Sequence, residues 1–381
     1  MVRKRTDSRP LLLLAIALAS TQLLVSCGGG GGSGSGTSST ATPTAPTSAP
    51  TTPSPLGGGP PKASSATAVT ATAQTNAQCI AIAPFYWEIG EARGALSSGS
   101  VAQSGAATVI ATTKFSIASA SKWIYGAYVL QNRKGVANLS AADIKLLNFT
   151  SGYTYMGTST VSATCAAPGS GANSINFCLT LPSPTAGKLN SSQNPVTDGV
   201  FDYGSGHLQN HAGQFQPEIN NLDTSVLGDT IAAGLNVNVN VSGITLKYNQ
   251  PLLAGGIVAS ANDYTPILRA ILSGQQGMLS ALGANAVCAW VGAGCNAAYS
   301  PITTERWHYS MAHWVEDDPT SGDGAFSSPG AFGFYPWIDA NKRFYGVISR
   351  FAPTGTGTEN GAASARCGRA LRAAWETGVQ R

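Results

Sequence analysis

An α+β domain, with a sheet drawn from both ends of the chain and a helical lobe between them, is the fold class the sequence predicts. Three observations carry it. Strand-like segments stand early, at residues 84–90 and 94–101, and again late, at 331–338 and 344–351. Apolar residues at helical spacing fill parts of the stretch between them and the extreme C-terminus. From about Asn76 to Arg381 no second linker interrupts the chain, so one folded unit is expected. Composition narrows the class further. Charged residues are 10% of 381, and the net charge of +4 is matched by Arg3, Lys4, Arg5 and Arg9 at the start. The near-neutral remainder has no basic face for nucleic acid. A hydrophobic content of 43% excludes a wholly disordered chain.

The first element is an address. Four basic residues precede an apolar run at 11–19, which is too short to span a bilayer and reads as an export signal. The segment ends Leu24-Val25-Ser26-Cys27, which resembles the bacterial lipobox. That resemblance implies cleavage before Cys27 and its lipidation, a membrane attachment without a span. Gly28 rather than Asp follows, so the resemblance favours the outer membrane, facing the periplasm or cell surface. Residues 28–75, rich in Gly, Ser, Thr, Pro and Ala with Lys62 as the only charge, read as a disordered tether. As a flexible coil it spans roughly 40 Å. Besides Cys27 there are six cysteines, an even number that suits disulfides in an exported protein. Short loops favour Cys165–Cys178 and Cys288–Cys295, leaving Cys79–Cys367 to clasp the ends of the domain of residues 76–381. Their spacing does not suggest zinc, and no metal or cofactor is expected.

Within the domain, the two early strands are followed by a helix after Ser119. Trp123, Ala127 and Leu130 form its stripe, Ile124 and Tyr128 lie beside it, and it ends near Gly135. Ser140-Ala-Ala-Asp143 and Ser260-Ala-Asn-Asp263 each read as a capped helix start. Apolar residues follow both: Ile144, Leu146 and Leu147 in one, Tyr264, Ile267, Leu268, Ile271 and Leu272 in the other. Residues 151–245 are rich in Gly, Ser and Asn and yield no clear trace. The late strands flank Asp339-Ala-Asn-Lys342 as a hairpin, and residues 362–377 read as a closing helix.

Ser119-Ala-Ser-Lys122 is the only Ser-x-x-Lys in the chain. On a helix, positions i and i+3 share a face. A serine hydroxyl needs a base beside it, and a buried lysine that sheds its proton can serve. The surrounding Phe115-Ser-Ile-Ala-Ser-Ala-Ser-Lys122 resembles the nucleophile segment of class C β-lactamases, related penicillin-binding proteins and esterases. Further matches follow in order: Leu146-Leu-Asn-Phe-Thr-Ser-Gly152, Ala254-Gly-Gly-Ile-Val-Ala-Ser-Ala-Asn-Asp263 and Phe332-Gly-Phe-Tyr-Pro-Trp337. Together they cover most of residues 80–381 and imply the β-lactamase/penicillin-binding-protein-like fold.

The resemblance implies a second motif, Tyr-x-Asn/Ser. Tyr203-Gly-Ser205, ahead of a helix from about Leu208, fits it in the form similar to aminohexanoate-oligomer hydrolases and some esterases. A tyrosine beside a lysine ammonium is expected to have a depressed pKa and to relay a proton. The rival, Tyr248-Asn-Gln250, has the wrong third residue and leaves no room for that helix. The third motif, normally Lys-Thr-Gly or His-x-Gly, corresponds to Ser328-Pro-Gly330, which lacks the cation that recognises a substrate carboxylate. The resemblance places Ser328 and Gly330 at the cleft and forms the oxyanion hole from the amides of Ser119 and Ala331.

Remaining candidates are weaker. His207 and His211 are spaced i, i+4 but lack the glutamate of a zinc-protease helix. His308, His313, Trp307 and Trp314 read as core or cleft-wall residues, and Glu316-Asp317-Asp318 as a solvated loop. A histidine triad with Ser119 stays open, although the chain has no Gly-x-Ser-x-Gly elbow. The expected function is a lipid-anchored serine hydrolase forming an acyl-enzyme on a small-molecule or peptide-like ester or amide. Two alternatives stand beside it: a β-lactamase or D-Ala carboxypeptidase, and a non-catalytic cell-wall-binding lipoprotein of the same fold.

Overall fold

The computed structural model describes residues 63–156, 165, 173–235, 245–275 and 277–381. The expected export signal, Cys27 and the tether as far as residue 62 lie outside the described residues. Helices are α1 Ala63–Thr75, α2 Ala77–Ile80, α3 Ser121–Asn132, α4 Ala141–Leu147, α5 Ile175–Thr180, α6 Gly206–Phe215, α7 Thr224–Gly234, α8 Ala261–Leu272, α9 Met278–Ala281 and α10 Gly357–Thr377. Strands are β1 Phe85–Glu91, β2 Gly94–Val101, β3 Phe115–Ser116, β4 Lys247–Tyr248, β5 Ile257–Ala259, β6 Val287–Cys288, β7 Val291–Gly292, β8 Cys295–Asn296, β9 His308–Ser310, β10 His313–Val315, β11 Phe326–Ser327, β12 Tyr335–Ile338 and β13 Tyr345–Ser349.

The main sheet runs β2-β1-β13-β12-β11-β10-β9-β6, antiparallel throughout among the described residues. The N-terminal hairpin thus joins the C-terminal one through β1 and β13, with Trp87 opposite Ile348. The helices α3 to α8 fall in sequence between β2 and β6, so the expected α+β class with a mainly helical insertion is the one observed. A smaller sheet, β3-β5-β4, carries the chain into α3. Helix α8 packs on β1, β12 and β13, and α10 packs on β12 and β13. The core between them is aromatic, with Trp87, Trp337, Tyr345 and Phe85 buried.

Both capped starts form. Ser140 accepts from the Asp143 amide and Ser260 from the Asp263 amide, each with its reciprocal carboxylate bond. The three disulfides are Cys79–Cys367, Cys165–Cys178 and Cys288–Cys295, as the loop lengths suggested.

One boundary is corrected. The tether was expected to run to residue 75, but residues 63–75 form α1, packed on α10, with Ala68, Val69 and Ala73 buried. An Ala/Thr/Ser segment has too little apolar periodicity to announce itself, and its order comes from tertiary contacts. The Arg381 amide donates to Thr72 Oγ1 at 2.9 Å, and Gln380 donates to Thr75 Oγ1 at 2.8 Å. Glu316 is a second correction. It is buried rather than solvated, 2.9 Å from Arg372 and bonded to the Tyr335 hydroxyl, because β10 carries it beneath α10.

Candidate active site

Strand β3 pairs with β5, and the Ile117 amide donates to Ile257 O at 3.0 Å. The chain then tightens into a 3-10 turn, Ala118–Ala120, with Ala118 at φ 45°, and enters α3 at Ser121. Ser119 stands in that turn, half-buried, and Lys122 stands in the first turn of α3, buried at 4% exposure. The short helical spacing brings Lys122 Nζ to 2.9 Å from Ser119 Oγ. The same nitrogen donates to Ala254 O at 2.8 Å. That carbonyl is presented by a tight loop in which the amides of Gly255 and Gly256 both return to Leu252 O. A side chain at Gly256 would run into the carbonyls of Gln250 and Leu252, so the loop needs glycine there.

Tyr203 arrives just ahead of α6, with its amide donating to Tyr299 O at 3.0 Å. Its ring packs among Phe149, Tyr309 and Trp314, and Lys122 Nζ lies 4.8 Å from its centroid. Ser205 precedes α6, makes no capping bond and faces the same cavity. Tyr248 is elsewhere: it is buried, and its hydroxyl has no hydrogen-bond partner among the described residues.

The cavity holds about 470 Å³ and is lined by Ser119, Lys122, Tyr203, Ser205 and Ala331 among others. A second arm of about 300 Å³ shares Ser119, Tyr203 and Ala331 and runs toward Ile302, Trp314 and the start of α10. The third-motif residues need a correction. Ser328 and Gly330 are not on the cavity wall. Ser328 Oγ donates to Ser119 O at 3.0 Å, and Gly330 is pressed so close to Ile117 O that no Cβ fits. They brace the Ser119 turn, and the Gly330–Gly333 turn places Ala331 on the cleft wall instead. Neither Ser119 nor Ala331 spends its amide on a backbone carbonyl among the described residues.

Lys122 is the one charged side chain lining either arm among the described residues. Burial pulls its pKa from 10.5 down to about 7. The amine is therefore partly neutral near pH 7 and can take the Ser119 proton. Tyr203 moves the other way. Burial raises its pKa well above 10, and hydrogen bonds with Ser119 and Trp314 recover only part of that. The expected depressed tyrosine is thus overturned, because an amine that is itself losing its charge gives little help to a phenolate in a buried site. Tyr203 is a neutral phenol here.

The histidines are committed elsewhere. His207 Nδ1 meets Ser151 Oγ at 2.7 Å and Nε2 meets Asp202 O at 2.8 Å. His211 bridges Tyr125 Oη at 2.6 Å and Asp143 Oδ1 at 2.8 Å. His313 is buried beside Trp123, and His308 pairs with Asp317 at 2.8 Å. Sequence reading missed the Ala254 carbonyl, which no side-chain pattern encodes; Trp314, read as core or cleft wall, is both buried and on the wall of the second arm.

A buried ammonium is costly, which gives a stability prediction. The folded pKa of about 7 lies below the unfolded 10.5, so below pH 7 the folded state carries the whole penalty. Between pH 7 and 10.5 the unfolded chain binds the extra proton and stability rises with pH. A difference of that size is worth on the order of 5 kcal/mol. Lys122→Met is expected to raise the melting temperature at pH 6 and to lose that advantage toward pH 10. Thermal melts of both proteins across this range check it.

No protein-family profile matches the sequence, and no curated protein is similar to it at the sequence level. Solved structures that this chain is similar to include EstCE1, a hydrolase with promiscuous acyltransferase activity (14% identical, 82% of this chain and 98% of that one, TM-score 0.49). A penicillin-binding protein from Bacillus halodurans is another (12% identical, 74% and 95% covered, TM-score 0.48). A third is a D-stereospecific amidohydrolase from Streptomyces sp. (14% identical, 81% and 99% covered, TM-score 0.44). Likenesses this distant carry no chemical conclusion, which rests on the side chains themselves.

Proposed function

We propose that the protein is a lipid-anchored serine hydrolase that forms an acyl-enzyme on an uncharged ester or amide. The observation that carries the reading is the buried Lys122 amine 2.9 Å from Ser119 Oγ. Ser119 Oγ attacks the carbonyl carbon, and its proton passes to neutral Lys122 Nζ. The amides of Ser119 and Ala331 receive the developing oxyanion, each worth about 3 kcal/mol. As the carbon–leaving-group bond breaks, Tyr203 gives its proton to the departing atom and is recharged from the Lys122 ammonium. Water then attacks the acyl-enzyme, with its proton taken by the same pair, and the acid leaves.

The lining supports an uncharged substrate. With Lys122 already engaged by Ser119 and Ala254, neither arm offers a free cation to a carboxylate among the described residues. Chromogenic cephalosporins and D-Ala-terminated peptides are accordingly expected to be poorer substrates than neutral esters. The anchor is expected at Cys27. Cys27→Ser should move the protein from the membrane fraction to the soluble fraction and abolish incorporation of a labelled fatty acid.

The test of the chemistry is a pH profile. For p-nitrophenyl butyrate, kcat/KM should rise tenfold per pH unit below a limb near 7 and level off above it, as the lysine becomes neutral. A profile flat from pH 5 to 9 would remove Lys122 as the base. Failure of a fluorophosphonate to label the protein at any pH would remove the hydrolase reading itself.

A further inference from the structure

Tyr203 stands between two stretches of backbone that are held very differently. On its C-terminal side the chain continues Gly204-Ser205-Gly206 into α6. A Cβ built on Gly204 would find only Asp202 O, 4.0 Å away. A glycine in open space fixes no direction for its neighbour. On the N-terminal side, both polar atoms of the peptide joining Asp202 to Tyr203 are taken. The Tyr203 amide donates to Tyr299 O at 3.0 Å, and Asp202 O lies 2.8 Å from His207 Nε2. The Asp202 amide in turn donates to Phe149 O at 3.0 Å.

The imidazole that holds this carbonyl is itself fixed at both nitrogens. A carbonyl oxygen has no proton to give, so Nε2 carries the hydrogen and donates it. Burial keeps the ring neutral, pulling its pKa from 6.5 to about 4, and leaves Nδ1 an acceptor. The Ser151 hydroxyl, 2.7 Å away, donates to it. Ser151 is anchored in turn, pairing with Asp198 and accepting from Gln193 Nε2 at its carbonyl. The His207 ring is fully buried and stacks on Phe149, with 4.8 Å between centroids and 12° between planes. Phe149 packs on the Tyr203 ring at 5.5 Å. His207 itself lies on the wall of neither arm of the cavity.

We propose that His207 is a positioning residue for Tyr203: by donating to Asp202 O it holds the peptide that aims the phenol into the cavity beside Ser119. The proposal rests on the reading of Ser119 as nucleophile and Tyr203 as proton donor to the leaving group. His207 exchanges no proton in that reaction. Without its N–H, Asp202 O loses its partner, and the peptide relieves the loss by rotating and carrying Tyr203 with it.

Leaving groups separate this role from simple packing. p-Nitrophenolate departs as a stable anion and needs no proton, whereas an alkoxide does. A merely structural defect lowers the folded fraction and costs both esters equally. His207→Phe keeps the stack on Phe149 and removes both nitrogens. Its kcat/KM should fall roughly 10- to 100-fold for ethyl butyrate and no more than about threefold for p-nitrophenyl butyrate. His207→Gln brings an amide N–H near the Nε2 position and should recover most of the ethyl butyrate turnover; the shorter His207→Asn should not. Tyr203→Phe should show the same contrast, and its combination with His207→Phe should be no worse than Tyr203→Phe alone. Equal losses on both esters, no recovery in His207→Gln, or losses that multiply in the double variant would overturn the proposal. Thermal melts check folding, and one measurement needs no variant to fold. Heteronuclear NMR of the wild type with isotope-labelled histidine should show His207 neutral and protonated on Nε2; a proton on Nδ1 instead would also overturn it. A Tyr203→Phe that shows the ester contrast beside an unimpaired His207→Phe defeats this inference alone. A wild type that turns over neither ester and resists a fluorophosphonate defeats the hydrolase reading, and this inference with it.

Discussion

Ser119→Ala is expected to abolish covalent labelling by a fluorophosphonate and to lower ester turnover by a factor on the order of 10⁴ or more. The size follows from the geometry. Ser119 is the hydroxyl that Lys122 Nζ reaches, at 2.9 Å, and Ser121, two positions on, accepts instead from the Ile257 amide. No neighbouring hydroxyl therefore inherits the attack. The fold should be unharmed, because the side chain is half-buried and its one side-chain bond among the described residues is that with Lys122. Intact-mass analysis after labelling, with melting curves as control, measures both parts. A variant that still labels at Ser119's peptide region or retains most turnover would show that the nucleophile lies elsewhere.

The second large effect concerns stability. Cys79–Cys367 joins positions 288 residues apart and ties α2 to α10. Closing so long a loop restricts the unfolded chain heavily, and the paired change Cys79→Ser with Cys367→Ser should cost about 3–5 kcal/mol. Denaturant titration reads this directly. The Cys288–Cys295 link closes only a short hairpin, and its removal should cost less, about 2 kcal/mol. Equal losses from the two would mean that native contacts around α2, rather than chain restriction, set the value.

Much of the fold was legible because its cues are local. The capping boxes at Ser140 and Ser260 need four residues each, and the late hairpin needs only two apolar runs and a polar turn. Ser119 and Lys122 belong with these, since helical geometry alone joins them. Tyr203 was separable from Tyr248 because a helix follows one and not the other, a distinction that chain order carries. The unread features depend on partners distant in sequence. Helix α1 has almost no apolar stripe and is held by α10. The ionisation of Tyr203 depends on how completely Phe149, Tyr309 and Trp314 enclose it, which no spacing reports. Ser328 and Gly330 were placed by likeness at the cleft, while the close approach of Ile117 turns them to the back of the wall.

Helix α10 has its first residue, Gly357, on the wall of the smaller arm of the cavity, and just past its last turn Gly378 packs on Ser64 near the start of α1. Its 21 residues measure roughly 30 Å end to end. Ser64 thus stands about a full helix length from the arm beside Ser119. A version cut just ahead of residue 63 and coupled to a bead or electrode through that new end would leave its mouth open to solution, which makes this end the natural handle for immobilising the protein.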